Sequence, residues 1–182
     1  MKEKIKKAGG DAKKDILRRP YFKPLEHFWT FTGAFLGMAV IGFIGETQFG
    51  ERDNIFLIGS FGATAVLIYG APASRFAQPR NLIGGHLISA LIGVCIHILI
   101  PNNYWVAAAL AVSLSIVAMQ ITRTMHPPGG ATALIANIGS ERIKNIGFNY
   151  VLSPVMSGVF ILLVIALVVN NIPKSRKYPF GK

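Results

Sequence analysis

The run Arg123-Thr124-Met125-His126-Pro127-Pro128-Gly129-Gly130-Ala131-Thr132-Ala133 decides how this chain is built. Two successive prolines forbid a continuous helix through His126 but suit the first turn of a new one. The chain is therefore expected to break and restart here. A helix restarting inside a protein points unpaired N–H groups and the positive end of its dipole at whatever lies before it, which makes an anion site. Gly129 and Gly130 let another group approach the backbone closely, and the Thr132 hydroxyl is a further donor. Arg123 and His126 stand just upstream. Two plainer roles stay open: His126 as a helix cap or buried hydrogen-bonding group, and Arg123 as an interfacial anchor snorkelling to lipid phosphate.

Outward from this run the chain is apolar. Of its 182 residues 52% are hydrophobic and 15% charged, against roughly 25% charged in soluble domains, and the mean hydropathy is +0.46. This is the composition of a membrane protein. Six apolar segments can be drawn, at 27 to 45, 54 to 71, 81 to 100, 104 to 122, 127 to 140 and 149 to 171. The second is interrupted by Gly59 and Gly62. The fifth would make a helix only about 21 Å long, short of a hydrocarbon core of about 30 Å.

The net charge of +11 is concentrated at the ends. Nine Lys/Arg and four acids lie in residues 1 to 26, and four more Lys/Arg with no acid lie between Lys174 and Lys182, so the ends carry +9. Such a distribution orients a protein in a membrane rather than forming a nucleic-acid stripe. With residues 1 to 24 inside as a basic arm near anionic headgroups, Arg75, Arg80 and Arg123 fall inside as well. If the fifth segment crosses, residues 173 to 182 form a basic tail on the same side. Six crossings, with both termini cytoplasmic in a cell membrane, then follow, at the cost of Arg142 and Lys144 outside. The segment 25 to 172 is the membrane domain between the two ends.

A tetrapeptide recurs. Gly62-Ala63-Thr64-Ala65 reappears 68 residues later as Gly130-Ala131-Thr132-Ala133, in the middle segment of each three-segment half. Asn81 and Ser89 match Asn149 and Ser157 at the same offset. Halves of three crossings would be inverted, placing matched, helix-breaking segments face to face near the midplane. The first-half candidates are Ser60, Gly62 and Thr64, with Phe61 able to narrow a pore. Arg80, Asn81 and His86 form a polar cluster at the start of the third segment, either a mouth that draws in anions or a helix cap. The spacing of Gly33 with Gly37, and of Gly85, Ser89 and Gly93, suits close helix packing and leaves a homo-oligomer open.

Enzymatic patterns are sparse. From residue 27 to 173 the acids are Glu46, Glu51, Asp53 and Glu141, all near segment boundaries. No metal-ligand spacing, phosphate loop or nucleophile elbow is present. Cys95 stands alone, which excludes a disulfide framework. The expectation is no cofactor, no metal and no catalytic activity.

His126-Pro127-Pro128 followed by Gly-Ala-Thr-Ala, together with Ala-Gln-Pro-Arg-Asn and Gly-Gly-His across residues 77 to 86, closely resembles the HPP family of integral membrane proteins. The resemblance covers about residues 25 to 171. It implies transport of a small monovalent anion, since chloroplast and cyanobacterial members are described as nitrite transporters. It also implies a minimal bacterial form, without a plant-type transit peptide or appended CBS domains. Family descriptions usually count four membrane helices, whereas the charge pattern favours six.

Together these features predict an all-α membrane protein of two pseudo-symmetric inverted halves that passes nitrite or a similar anion. In this reading the anion sits at backbone N–H groups of Gly129 to Thr132, with His126 supplying a donor or a proton and Thr64 opposite. A neutral His126 would permit a channel; a titrating one would couple transport to protons. Two rival classes stay open: a scaffold or sensor that moves nothing, and a membrane-embedded redox or transfer enzyme using His86, His97 or His126.

Overall fold

The computed structural model describes residues 24 to 49 and 58 to 180. The basic arm, together with Glu51 and Asp53, lies outside the described residues. Every regular element among those described is helical. The chain forms α1 (Pro24–Phe49), then α2 (Gly59–Ala65), which continues as a π-helix over Val66–Gly70. After a 3₁₀ turn at Arg75–Ala77 come α3 (Pro79–Leu99) and α4 (Tyr104–Ile121). The fifth apolar segment is α5 (Pro128–Ile138), followed by the short α6 (Glu141–Asn145). The sixth begins as a π-turn at Val151–Met156, broken at Ser153 (φ −142°, ψ 121°), and runs on as α7 (Ser157–Val169).

Four helical stretches are long and apolar enough to cross a membrane: Pro24–Thr47, Pro79–Leu99, Tyr104–Ile121 and Val151–Val169. The second and fifth segments are half-length. Helices of that size reach only about 18 and 16 Å, so neither spans a hydrocarbon core alone. The outer surface is apolar, with Phe31, Phe43, Trp105, Ile121 and Val164 all exposed. The polar side chains Ser60, Thr64, His86, His126, Thr132 and Asn137 are completely buried. Lipid-facing hydrocarbon around a polar centre is what a bilayer solvent selects.

One end of the bundle gathers most of the basic residues among those described. Arg80 donates to the Thr122 carbonyl (3.2 Å), joining the start of α3 to the end of α4. Arg176 pairs with the Glu26 carboxylate and also reaches Thr30 Oγ1 (2.8 Å) and the Tyr69 carbonyl (3.3 Å). Ser175 adds a hydrogen bond to Glu26. The tail is thus a clasp that ties α1 to the end of the second segment. Arg176 is engaged inside it. At the opposite end Lys144 pairs with Glu141 (2.9 Å) and stacks on Tyr104 (4.7 Å). Its hydrogen bond holds the Glu141 carboxyl below its ordinary range. Local pairing therefore offsets part of the cost that Lys144 imposed on the charge pattern.

Close packing of small residues sets the central crossing. A Cβ added at Gly93 on α3 would lie 2.8 Å from the Ala133 carbonyl oxygen and 2.9 Å from the Ala133 Cα on α5. Backbone cannot yield as a side chain can. Gly93→Ala is expected to destabilise the protein by about 1–3 kcal/mol, the usual cost of overpacking, read as a lowered melting temperature in detergent. Gly130→Ala, whose Cβ would meet only Val112 Cγ1 at 3.9 Å, is expected to leave the melt unchanged or raise it slightly. Arg176→Ala removes the guanidinium that pairs with Glu26 in a partly buried setting and is expected to cost about 1–3 kcal/mol in the same melt.

Candidate functional site

The break at His126 is built by local backbone chemistry. α4 ends in two interlocked turn bonds, Thr124 N–H to the Met119 carbonyl (2.9 Å) and Arg123 N–H to the Gln120 carbonyl (3.2 Å). Arg123 adopts the left-handed conformation (φ 56°) that this helix ending demands and that glycine usually fills. The reversal sends Thr124, Met125 and His126 back along α3. Asn81 secures it by donating to the Met125 carbonyl (2.7 Å). Gly85 allows the return, because a Cβ there would stand 2.5 Å from His126 Cβ and 3.0 Å from the Thr124 carbonyl oxygen. α5 then restarts at Pro128, as the paired prolines predict.

At the centre lies His86. Its Nε2 meets Thr64 Oγ1 at 2.8 Å and its Nδ1 meets Thr132 Oγ1 at 2.7 Å. These two threonines occupy the same place in the repeated tetrapeptide, so the two half-length helices grip opposite edges of one imidazole. His126 faces it, with ring centroids 4.9 Å apart. His126 Nε2 lies 3.3 Å from the same Thr64 hydroxyl, while its Nδ1 lies 2.8 Å from the Phe76 carbonyl. A carbonyl only accepts, so Nδ1 carries a proton. Thr64 also donates to the Ser60 carbonyl (2.8 Å). The result is a buried chain from Thr132 through His86, Thr64 and His126 to Phe76.

Other predicted residues fall around this chain in different ways. Ser60 is fully buried, and its hydroxyl has no hydrogen-bond partner. Gly129 is buried against Gly85 and Ser89. The N–H groups of Gly129 and Gly130 already bond to the His126 (2.8 Å) and Pro127 (3.1 Å) carbonyls. Those two donors are therefore occupied, because residues just before the helix supply its first acceptors. Gly62 is exposed, on the face of α2 away from Thr64. Phe61 is a core residue packed against Gly158 and edge-on to His86, with ring centroids 6.0 Å apart. His97 is partly buried and takes no part in the chain.

Beyond the chain opens a cleft of about 500 Å³ lined by Arg75, Phe76, Asn81, Gln120, Arg123 and Met125. Arg123 is exposed at its rim, and Arg75 stacks on the Phe76 ring (4.7 Å). Arg80 is exposed and bound to the Thr122 carbonyl at the same end. Phe76 and Met125 separate the cleft from His126. Two participants have no sequence signal. Phe76 contributes its backbone carbonyl, and Tyr150 fixes Thr132 by donating to its carbonyl oxygen (3.0 Å).

Among the described residues no group of three or more His, Cys, Asp or Glu is placed to hold a metal ion. The buried chain offers two imidazoles, two linked hydroxyls and one unpartnered hydroxyl. That set can donate hydrogen bonds to a small desolvated solute and can hold a proton.

Comparison with known proteins bears on this architecture. The chain is 46% identical over 166 residues to one transmembrane protein of Dictyostelium discoideum, covering 89% of this chain and 58% of that protein. A second Dictyostelium discoideum transmembrane protein is 48% identical over 154 residues, covering 83% of this chain and 49% of its own length. The chain thus spans about half the length of these curated relatives. No solved structure matches it. The HPP transmembrane region matches residues 19–179, and the His126-Pro127-Pro128 turn opens the helix that holds His86 in place; the chain belongs to the HPP family of integral membrane proteins.

Proposed function

We propose that this protein moves a small monovalent anion of the nitrite type across a membrane, through the His86–His126 centre. The observation that carries this reading is the hold of the two repeat threonines on both nitrogens of His86. A membrane protein that buries two imidazoles and three hydroxyls gives up solvation that plain packing would not require. Such groups can replace the water shed by a small anion.

The other elements serve the same reading. Arg75 and Arg123 at the cleft would concentrate anions at the mouth, and the path inward passes Phe76 and Met125. Arg80 adds positive charge at the same end. The end bearing Arg75, Arg80, Arg123 and the 173–180 segment faces the cytoplasm by the positive-inside rule. Six transits then follow, the second and fifth made by half-length helices in inverted halves that meet at His86. With the Gly129 and Gly130 N–H groups occupied, the donor in this proposal is the unengaged Ser60 hydroxyl, beside the linked side chains of His86, His126, Thr64 and Thr132.

Purified protein in liposomes is expected to take up nitrite faster than empty liposomes. His126→Ala and His86→Ala are each expected to slow uptake by about tenfold or more, the kinetic equivalent of about 1.4 kcal/mol. Arg123→Gln is expected to raise the half-saturating nitrite concentration more than it lowers the maximal rate. Absence of flux for nitrite, nitrate, formate and chloride alike in the wild type would end the reading.

A further inference from the structure

The donor and acceptor count around Thr64 does not balance with both histidines neutral. His126 Nδ1 must donate to Phe76, so a neutral His126 presents a bare Nε2 to Thr64. Thr64 has one proton for two acceptors, this nitrogen and the Ser60 carbonyl at 2.8 Å. Whichever it serves, the other contact sets lone pair against lone pair in a fully buried place.

One extra proton resolves the conflict. With Nε2 of His126 protonated, it donates to Thr64, and Thr64 donates to the Ser60 carbonyl. The second lone pair of Thr64 accepts Nε2–H of His86 at 2.8 Å, and His86 Nδ1 accepts from Thr132 at 2.7 Å. Every contact of Thr64 then joins a donor to an acceptor, and Thr132 keeps only a long 3.5 Å approach to the Pro128 carbonyl beside its bond to His86. The cost is a buried positive charge, and among the described residues no carboxylate bonds to any member of the chain. The titratable group facing His126 is His86; Tyr150 contacts the Thr132 backbone, while Arg75 and Arg123 lie in the cleft beyond Phe76 and Met125. A buried cation without a counter-charge is expensive. Close to Thr64, one helical turn earlier on α2, stands the unpartnered hydroxyl of Ser60.

We infer that the anion supplies the missing counter-charge and that the centre carries one proton with each anion. The inference rests on the anion-transport reading and names its coupling ion. His126 Nε2 gains a proton as the anion enters beside Ser60 and releases it as the anion leaves. Only an N–H bond is made and broken, and one H⁺ and one A⁻ cross together with no net charge moved. Binding of each lowers the cost of binding the other, the reciprocal coupling that linkage requires.

The test uses the full chain in liposomes loaded with a pH-reporting dye, with the leak of empty liposomes subtracted. Nitrite uptake is expected to acidify the lumen by one proton per anion, to rise with an inward pH gradient, and to be indifferent to a valinomycin-set potassium potential. Thr64→Val, which keeps shape and removes the hydroxyl, is expected to slow this uptake by about tenfold, while Thr64→Ser restores most of it. Uptake driven by the potential without lumenal acidification would overturn the coupling yet leave anion transport standing; absence of any uptake would overturn both. A Thr64→Val variant that folds and transports normally would remove Thr64 from the mechanism. In the wild type, assigned nitrogen-15 shifts of the His86 and His126 rings at saturating nitrite are expected to show His126 protonated on both nitrogens and His86 on one. Two neutral rings there would overturn the proposal, whatever the variants do.

Discussion

The imidazole of His86, held at both nitrogens inside an apolar shell, is the constraint from which the remaining structure follows. A buried polar group left unpaired costs about 1–3 kcal/mol, so each ring nitrogen must find a partner from an element that cannot drift. Thr64 on α2 and Thr132 on α5 supply them. Neither helix spans a bilayer alone, and each is braced by long neighbours. Their half-length has a positional consequence: a helix that starts inside the protein can present a residue from its first turns to the centre, as α5 does with Thr132.

Small residues are the geometric price of that centre. α3 must approach both the returning 124–126 strand of chain and α5. Gly85 lies against His126 and the Thr124 carbonyl, and Gly93 against Ala133. Thus the spacing that reads as generic helix packing is local in effect: it sets how near α3 can bring His86 to His126 and Thr132. Thr124 is itself buried where α4 reverses, and Arg123 takes the left-handed conformation that turns the chain inward. The same residue thereby shapes the site with its backbone and lines the cleft with its side chain.

Much of this was legible in the sequence, for physical reasons that can be named. Two prolines after His126 can only end one helix and begin another, and the recurrence of Gly-Ala-Thr-Ala marked the two segments that meet. The apolar composition and the four long helices agree. His86 reads as part of a polar cluster at the start of the third segment, a mouth or a helix cap, because Arg80 and Asn81 precede it; about 9 Å of helix separates it from Arg80 and buries it between the two threonines. The backbone donors of Gly129 and Gly130 looked free because helix starts usually leave such groups unpaired, yet His126 and Pro127 carbonyls fold over to take them. Phe76 left no trace, since it acts through a carbonyl that every residue possesses. The tail's clasp between Arg176 and Glu26 left no trace either, because ion pairs across some 150 residues have no sequence signature.

That tail also bears on the centre. Tyr178 is buried and donates to the Ala77 carbonyl at 2.7 Å, and Phe180 N–H bonds to Gln78 Oε1 at 2.8 Å. Gln78 in turn donates to the Pro72 and Ser74 carbonyls, closing the loop that carries Phe76. The Phe76 carbonyl is the acceptor that fixes which nitrogen of His126 holds its proton. Its position depends on residues 71 to 78, and theirs on the docked tail that Arg176 anchors to Glu26. A displacement of the clasp would therefore reach the imidazole through the Phe76 carbonyl at the end of the buried chain, altering the orientation of His126. Where Thr64 has one proton for two acceptors, the placement of the Phe76 carbonyl sets which way the hydrogen bonds run.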